Sequence, residues 1–176
     1  MNFENTTSKP KRREIEKKLD ESSVLFQVKH SMNLDCRVRD AIWADDSYRI
    51  QSVRHNVFTL EQGVSHEIVM DGKDAQCIHF LAENRSGDPV GCARLSLEGR
   101  VGRVAVLEKW RRSGVGAQIM NSLILHSESL GMSQTFLHSQ LAVQSFYEYL
   151  GYKPEGPIFD EAGIPHVYMA RRTNNA

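Results

Sequence analysis

The sequence predicts a single-domain α/β (α+β) fold, in which a mixed, mostly antiparallel central sheet is flanked by helices. Strand-like and helix-like patterns of apolar residues alternate along the chain, and no internal repeat interrupts them. A tight-turn signal at 85–88 joins two strand patterns into a hairpin, which requires antiparallel pairing. The length of 176 residues, with 40% hydrophobic and 25% charged residues, suits one ordinary globular domain.

Residues 1–34 predict an N-terminal extension that is partly flexible or helical. Over 1–23 the chain is polar, and Ile15 and Leu19 are its long aliphatic residues. A helix with so little apolar surface gains little stability from packing. We therefore expect the folded domain to span 35–173, with a short tail at 174–176.

The first half of the domain predicts a strand, a helix and a hairpin. "CRVRDAI" (36–42) alternates apolar and charged residues, as a half-buried strand does. Asp45-Asp46-Ser47 supplies N-cap candidates for a helix that runs to about Gln62. "AQCIHFLAEN" and "PVGCARLSL" then predict the two hairpin strands, with "RSGD" (85–88) as their turn.

A further strand and a long helix follow the hairpin. "RVGRVAVLE" after Glu98-Gly99 predicts a strand, and the helix that comes next ends near Gly131, a residue type favoured just beyond a helix C-terminus. The apolar positions of that helix recur at helical spacing, so they predict a buried face. These positions are Val115, Ile119, Met120, Leu123 and Ile124.

The C-terminal part predicts three more elements. "SQTFLHS" (133–139) has a strand pattern, "LAVQSFYEYL" a helix pattern that stops at Gly151, and "HVYMARR" (166–172) the pattern of a closing strand. The predicted order from residue 36 is thus strand, helix, two hairpin strands, strand, helix, strand, helix, strand.

Composition argues against several functional classes. The formal net charge is zero and the folded part has no basic stripe, so we expect no nucleic-acid partner. No apolar run approaches the ~20 residues of a membrane span, and the N-terminus lacks the apolar stretch of a signal peptide, so we expect a cytoplasmic protein without a membrane partner. Cys36, Cys77 and Cys92 lack metal-ligand spacing and are expected as reduced thiols in strands, and no metal site is expected.

The stretch "RRSGVG" (111–116) precedes the long helix and carries the parts of an anion-binding loop. The start of a helix offers up to four free N–H groups and about half a unit of positive charge. Glycines let the main chain approach an anion closely, and Arg111 and Arg112 add charge. The stretch lacks the Gly-Lys-Ser/Thr ending of a P-loop and the glycine spacing of a dinucleotide-binding fold. Taken alone, it fits either an anion site or a tight turn into a core helix.

Two motifs follow one another around the long helix, "GRVAVLEKWRRSGVGAQIMNSL" and, about thirty residues later, "FYEYLGY". Together they resemble the GNAT superfamily of acyl-CoA-dependent N-acyltransferases, in which the first motif is a strand, a Gln/Arg-x-x-Gly-x-Gly/Ala loop and a helix. "RHNVFTLEQGV" (54–64) and "FDEAGIPHVYMAR" (159–171) are similar to the subgroup of the bacterial ElaA and YjcF proteins, and the resemblance covers about 35–172. The family's second motif, an aromatic-Tyr-Glu-x-x-Gly-aromatic helix end, is matched by Phe146, Tyr147, Glu148, Leu150, Gly151 and Tyr152.

The resemblance implies acetyl-CoA as co-substrate, without a metal. In the family, the loop amides bind the coenzyme A pyrophosphate and a splayed strand binds pantetheine through its main chain. The wider family often has Asn and Ala where this chain has Gln140 and Val143; the amide at Gln140 keeps a pantetheine contact open. The implied cofactor-binding residues are Val104, Ala105, Val106, Arg111, Arg112, Ser113, Gly114, Val115, Gly116, Ala117 and Gln140.

The resemblance also implies a role for Tyr147, whose family position faces the coenzyme sulfur. Its phenol would act as general acid to the departing thiolate, although packing beside Phe146 is the alternative reading. A base must also take a proton from the amine. Glu61 and then His166 are the favoured candidates, and Glu108 and His138 stay open.

The implied function is transfer of acetyl from acetyl-CoA to the amine of a small molecule by direct attack, since no poised nucleophile is visible. One alternative is an acyl-CoA-binding sensor or regulatory module without turnover. Others are acyl transfer onto a protein or peptide amine, or onto an amino-lactone precursor as in autoinducer synthases. GNAT proteins are often dimers, so a homodimer is an open expectation.

Overall fold

A computed structural model of the protein describes residues 35–173, and the predicted N-terminal extension and C-terminal tail lie outside that range. Seven strands and four α-helices follow one another in it, with short 3₁₀ turns between some of them. The strands are β1 Cys36–Ala41, β2 Ile78–Asn84, β3 Pro89–Leu95, β4 Val101–Val106, β5 Gln134–Gln140, β6 Lys153–Glu161 and β7 Ile164–Arg172. The helices are α1 Trp43–Arg54, α2 His66–Val69, α3 Val115–Ser129 and α4 Gln144–Tyr149.

The strands form two antiparallel sheets that meet at one point. The first has the order β1-β2-β3-β4 and the second the order β5-β7-β6. They are joined by a parallel bridge between Arg100 and Phe136, where the Phe136 N–H donates to the Gly99 carbonyl at 2.9 Å. Beyond this bridge β4 and β5 are edge strands of separate sheets. The predicted α/β (α+β) class with a mostly antiparallel sheet is confirmed, and the sheet is divided into two halves.

Helices cover both faces of the first sheet. The apolar face of α3 is buried as predicted, since Val115, Ile119, Met120, Leu123 and Ile124 are all at most 7% exposed. On the opposite face, α1 and the turn after it place Ile50, Val53 and Val57 in one buried cluster with Leu81, Cys92 and Ala105. Burial of this apolar surface is the main favourable term in folding.

The turn chemistry read from the sequence is also observed. The Gly87 N–H donates to Asn84, and the Asn84 N–H donates to Asp88, which closes the hairpin between β2 and β3. Gly131 and Gly151 follow α3 and α4 with φ values of +72° and +87°. These are conformations that glycine adopts without the Cβ penalty.

Two local predictions are wrong. The first helix begins at Trp43 rather than after Asp45-Asp46-Ser47, although its π-helical continuation His55–Glu61 ends near the predicted Gln62. Asp46 is drawn towards Arg39, whose two terminal nitrogens lie 2.7 and 2.8 Å from its carboxylate. Cys77 lies in the loop before β2 rather than in a strand.

Strand β6 has no counterpart in the predicted order. Pro154, Gly156 and Pro157 break its apolar alternation, and its register against β7 shifts between Pro154 and Ile158. Proline is tolerated there because β6 is at the edge of its sheet, where a missing N–H costs no ladder hydrogen bond. The hairpin of β6 and β7 therefore completes the second sheet.

No helix among residues 35–173 is both long and apolar enough to cross a lipid bilayer.

The close approach of the two sheets at their junction predicts that adding a side chain at Gly99 strongly destabilises the fold. A Cβ there would lie 2.6 Å from the Gln134 backbone oxygen, and its φ is +88°. Gly87 has a similar φ of +85° with open space around it. We expect Gly99→Ala to lower the free energy of unfolding by at least about 1 kcal/mol more than Gly87→Ala, because only the former adds a backbone clash to the strain. Urea denaturation of both variants measures the difference; equal losses would contradict it.

Candidate active site

A cavity of about 650 Å³ opens where β4 and β5 diverge. This volume is in the range of small-molecule sites. It is lined by the whole of β4, the loop before α3, the end of β5, and residues of α4 and of the β6–β7 hairpin. The predicted site residues that line it are Val104, Ala105, Val106, Arg111, Arg112, Gly114, Gly116, Ala117, Gln140, Tyr147 and His166.

The loop at 111–114 turns sharply into α3 and exposes main-chain donors. Arg112 has a φ of +56° and Gly114 a φ of +89°, both left-handed. Gln118 is the first residue of the helix whose N–H reaches back to the Gly114 carbonyl, at 3.0 Å. The amides from Gly114 to Ala117 are therefore the free N–H groups of a helix start, which favour an anion.

Ser113 and Val115 turn their side chains away from the cavity. The Ser113 hydroxyl donates to the Trp110 carbonyl at 2.6 Å, and the Val115 side chain is fully buried in the core. Any contact of these two residues with a bound anion must come through the backbone.

One edge of β4 presents main-chain groups to the cavity. The Leu107 N–H donates to the Val90 carbonyl at 2.9 Å, so these two residues form a hydrogen-bonded pair. In an antiparallel ladder the next pair, Val106 with Gly91, then points its N–H and C=O groups away from the neighbouring strand. The Val106 carbonyl accepts from Arg111 Nε at 2.9 Å. The Val106 N–H points towards the same open edge.

Glu61 does not line the cavity and is engaged with Arg111. Its two carboxylate oxygens accept hydrogen bonds of 2.6 and 2.5 Å from the two terminal nitrogens of Arg111. This bidentate contact holds the pKa of Glu61 below its usual range. Arg111 thus ties the π-helical turn to the end of β4.

Tyr147 lies on the cavity wall with its ring almost fully buried. The ring packs edge-on against Phe146, with centroids 5.0 Å apart, and against Tyr152 at 6.1 Å. Burial raises the pKa of the Tyr147 phenol. Within residues 35–173 its hydroxyl has no hydrogen-bond partner, and the phenol keeps its proton available for a bound molecule.

Two histidines and a glutamate line the other end of the cavity. The His166 Nδ1 lies 2.8 Å from the Ile164 carbonyl. The His138 Nδ1 lies 2.6 Å from Glu161 Oε2. Sequence reasoning missed Glu161, because it lies at the end of the strand that was not predicted. Gln140 donates to the Gln62 side chain at 3.1 Å, which joins β5 to the residue after the π-helical turn.

The segment around α2 forms a wall that is fixed by arginines. Arg103 lies opposite a register shift in β3 with a φ of +54°. Its guanidinium donates to the Val69 and Ile68 carbonyls at 2.8 and 2.7 Å. Asp71 at the end of this segment forms two 2.7 Å hydrogen bonds with Arg94, which hold the pKa of its carboxyl well below the usual range.

Residues 35–173 bring together no group of three or more His, Cys, Asp or Glu side chains that could hold a metal ion.

Comparison with known proteins identifies relatives. The sequence model of one protein family, described as the Acetyltransferase (GNAT) domain, matches residues 46–173. The uncharacterized N-acetyltransferase YjcF of Bacillus subtilis is 32% identical over 123 residues, 68% of this chain and 87% of its own. Protein ElaA of Escherichia coli is 32% identical over 138 residues, 73% of this chain and 89% of its own.

Solved structures share the fold. The crystal structure of E. coli ElaA superposes with a TM-score of 0.70 at 27% identity, covering 78% of this chain and 99% of ElaA. An acyl-CoA N-acyltransferase from Pseudomonas aeruginosa superposes with a TM-score of 0.69 at 27% identity, covering 77% and 99%.

The Asp71 contacts predict a pH-dependent contribution to stability. A carboxyl whose pKa is lowered by folding stabilises the protein fully above its unfolded pKa, near 4, and loses that contribution as the pH falls further. Asp71→Asn should therefore lower the free energy of unfolding by about 2 kcal/mol at pH 7, with a smaller difference from the unmodified protein below about pH 4. Urea denaturation across this range measures it, with exposed Asp45→Asn as the control. A difference that stays constant with pH would contradict the prediction.

Proposed function

The chain belongs to the GNAT acetyltransferase family of acyl-CoA-dependent N-acyltransferases, and from this premise we propose that it transfers the acetyl group of acetyl-CoA to the amine of a small molecule. The observation that carries the proposal is that one cavity contains the helix start at Gly114, the open edge of β4 and the Tyr147 phenol. These are the parts needed to bind an anionic thioester and to assist its cleavage.

We assign the pyrophosphate of coenzyme A to the start of α3. The amides from Gly114 to Ala117 supply donors, and Arg112 adds positive charge at the cavity wall. We assign Arg111 a structural role in the cavity wall, because its guanidinium already donates to Glu61 and to the Val106 carbonyl. The pantetheine arm would then lie along β4, with the Gln140 amide across the cavity.

We assign the thioester carbonyl to the Val106 N–H. Attack of a neutral amine on this carbonyl forms a tetrahedral oxyanion, and a donor aimed at that oxygen is worth about 2.7–4 kcal/mol. As the C–S bond breaks, Tyr147 donates its proton to the sulfur. Burial keeps the phenol protonated but makes it a weaker acid, so we propose that Tyr147 first donates a hydrogen bond to the sulfur and transfers its proton as the thiolate charge develops beside it.

The two favoured proton acceptors receive different roles. The Ile164 carbonyl can only accept, so His166 carries its proton on Nδ1, and we propose that its Nε2 lone pair accepts a hydrogen bond that positions the acceptor. Glu61 is a poor base, because Arg111 holds its carboxyl ionised and its pKa low. We propose that Glu61 orients Arg111.

The first test is binding of coenzyme A by calorimetry. Gly114→Val should weaken binding at least tenfold, because a β-branched residue does not tolerate a φ of +89° and its rearrangement would misdirect the loop amides. Gly87→Val carries similar strain at a turn remote from the cavity and should bind normally. Folded protein that binds no coenzyme A would overturn the proposal, as would unchanged binding by the Gly114 variant.

The second test is a thiol-release screen with acetyl-CoA against polyamines, amino acids, amino sugars and peptides. With an acceptor so found, Tyr147→Phe should lower kcat by about 10²-fold or more, with the affinity for acetyl-CoA changed less than about twofold. Tyr48→Phe, at an 82% exposed position on α1, is the matched control. Unchanged kcat would remove Tyr147 from the mechanism, and binding without thiol release from any amine would favour the sensor.

A further inference from the structure

We propose that His138, positioned by Glu161, removes the proton from the acceptor amine; this inference rests on the acyl transfer proposed above. His138 lies on β5 and Glu161 at the end of β6, and both side chains line the cavity. They are brought together by the second sheet, in which β7 separates the two strands.

The shorter of the two contacts at His138 Nδ1 favours one tautomer of the neutral imidazole. Nδ1 is 2.6 Å from Glu161 Oε2 and 3.3 Å from Arg100 Nη2. A carboxylate only accepts hydrogen bonds, so the closer Glu161 contact favours a proton on Nδ1 and a lone pair on Nε2. The ring is held by Phe159, edge-on at 4.9 Å, and by Tyr168 at 6.2 Å. The imidazole is therefore oriented before a substrate arrives.

Two charged side chains, Arg100 and Glu161, adjoin the His138 imidazole. Arg100 Nη2 lies 3.3 Å from Nδ1 and 3.7 Å from Glu161 Oε1, so it adjoins the same carboxylate that faces the imidazole. Glu161 stabilises the imidazolium once it forms. Burial raises the pKa of Glu161, but the His138 hydrogen bond and the nearby His166 and Arg100 outweigh it and hold this pKa below the usual range. Glu161 is thus a carboxylate at neutral pH.

His166 is less suited to the same step. Its Nδ1 faces the Ile164 carbonyl rather than a carboxylate, so an imidazolium there would gain less stabilisation. His166 is also buried, whereas His138 is partly exposed, so a substrate amine has easier access to the His138 ring.

The proposed transfer releases one proton in total. His138 Nε2 takes one proton from R–NH₃⁺, and the neutral nitrogen forms the C–N bond as the thioester carbonyl becomes an oxyanion. The C–S bond then breaks, and the thiolate takes the Tyr147 proton. A second nitrogen proton, lost as the amide forms, restores the phenol. The His138 proton leaves to solvent, so the products are the amide, the free thiol and one proton. The base is needed only for amines that are protonated at neutral pH, which points to an alkylamine acceptor.

The experiment compares two classes of acceptor in wild type and variants. With an alkylamine, His138→Gln should lower kcat by about 10²-fold or more and Glu161→Gln by a smaller factor, with coenzyme A affinity changed less than about twofold. With an alkoxyamine or arylamine, which is neutral at pH 7, both losses should shrink several-fold. Glu155→Gln on the same strand, where Glu155 pairs with Arg172 outside the cavity, is the matched control. Added imidazole should restore part of the activity of His138→Ala.

The outcomes separate this inference from the proposed function. Wild type without coenzyme binding or thiol release overturns both. If the wild type is active, any of three results overturns the inference alone. The first is an unchanged kcat in His138→Gln, and the second is an equal loss of kcat with both classes of acceptor. The third is a loss of kcat in His166→Gln that is larger than in His138→Gln and is restored by added imidazole. If His138→Gln loses coenzyme binding through misfolding, Glu161→Gln decides by the same acceptor comparison.

Discussion

The separation of β4 from β5 is the constraint on which the rest of the site depends. One hydrogen bond, from Phe136 to Gly99, ends the contact between the sheets, and beyond it each strand keeps an edge that no other strand pairs within residues 35–173. In most sheets the backbone groups of a central strand are consumed by its neighbours. Here the divergence leaves main-chain donors and acceptors on β4 and opens a space beside them. The loop, Tyr147 and the histidines all face that one space, because they belong to elements that flank the split.

A buried ion network keeps the opposite wall in place. Arg54 is fully buried and lies 2.9 Å from both carboxylate oxygens of Asp74, which also accepts from Arg94 at 3.0 Å. Arg94 also donates a hydrogen bond to Asp71, and Arg103 donates one to the Ile68 carbonyl in α2. Removing one partner from such a network leaves an uncompensated buried charge, which costs about 3–5 kcal/mol. The network therefore joins α1, β3, β4 and the α2 segment into one unit, so the position of this cavity wall depends on the same contacts that stabilise the domain.

Much of the fold and the loop could be predicted because their signals are local. Glycines at Gly114, Gly131 and Gly151 and the spacing of Val115 to Ile124 are decided by backbone conformation and helical period. Strand β6 could not be predicted, because Pro154 and Pro157 interrupt its strand pattern. Glu161, at the end of that strand, was therefore not identified as a candidate site residue. The pairing of Glu61 with Arg111 joins residues 50 positions apart, and the contact of His138 with Glu161 needs the order of the strands. Such contacts depend on tertiary geometry, which no short pattern contains. The family of the chain was recognisable from two motifs.

The open edge of β4 has a consequence for self-association. A strand edge with free N–H and C=O groups invites an extended segment of another molecule to add to the sheet, and exposed edges are a route to aggregation. In this domain the edge faces a cleft whose far wall is β5 and the turn that follows it, so the groups are recessed from the surface. An extended segment that added to this edge would have to lie inside the cleft, between β4 and β5. The divergence that leaves the β4 groups unpaired therefore also places them within a cleft rather than on an outer edge of the domain.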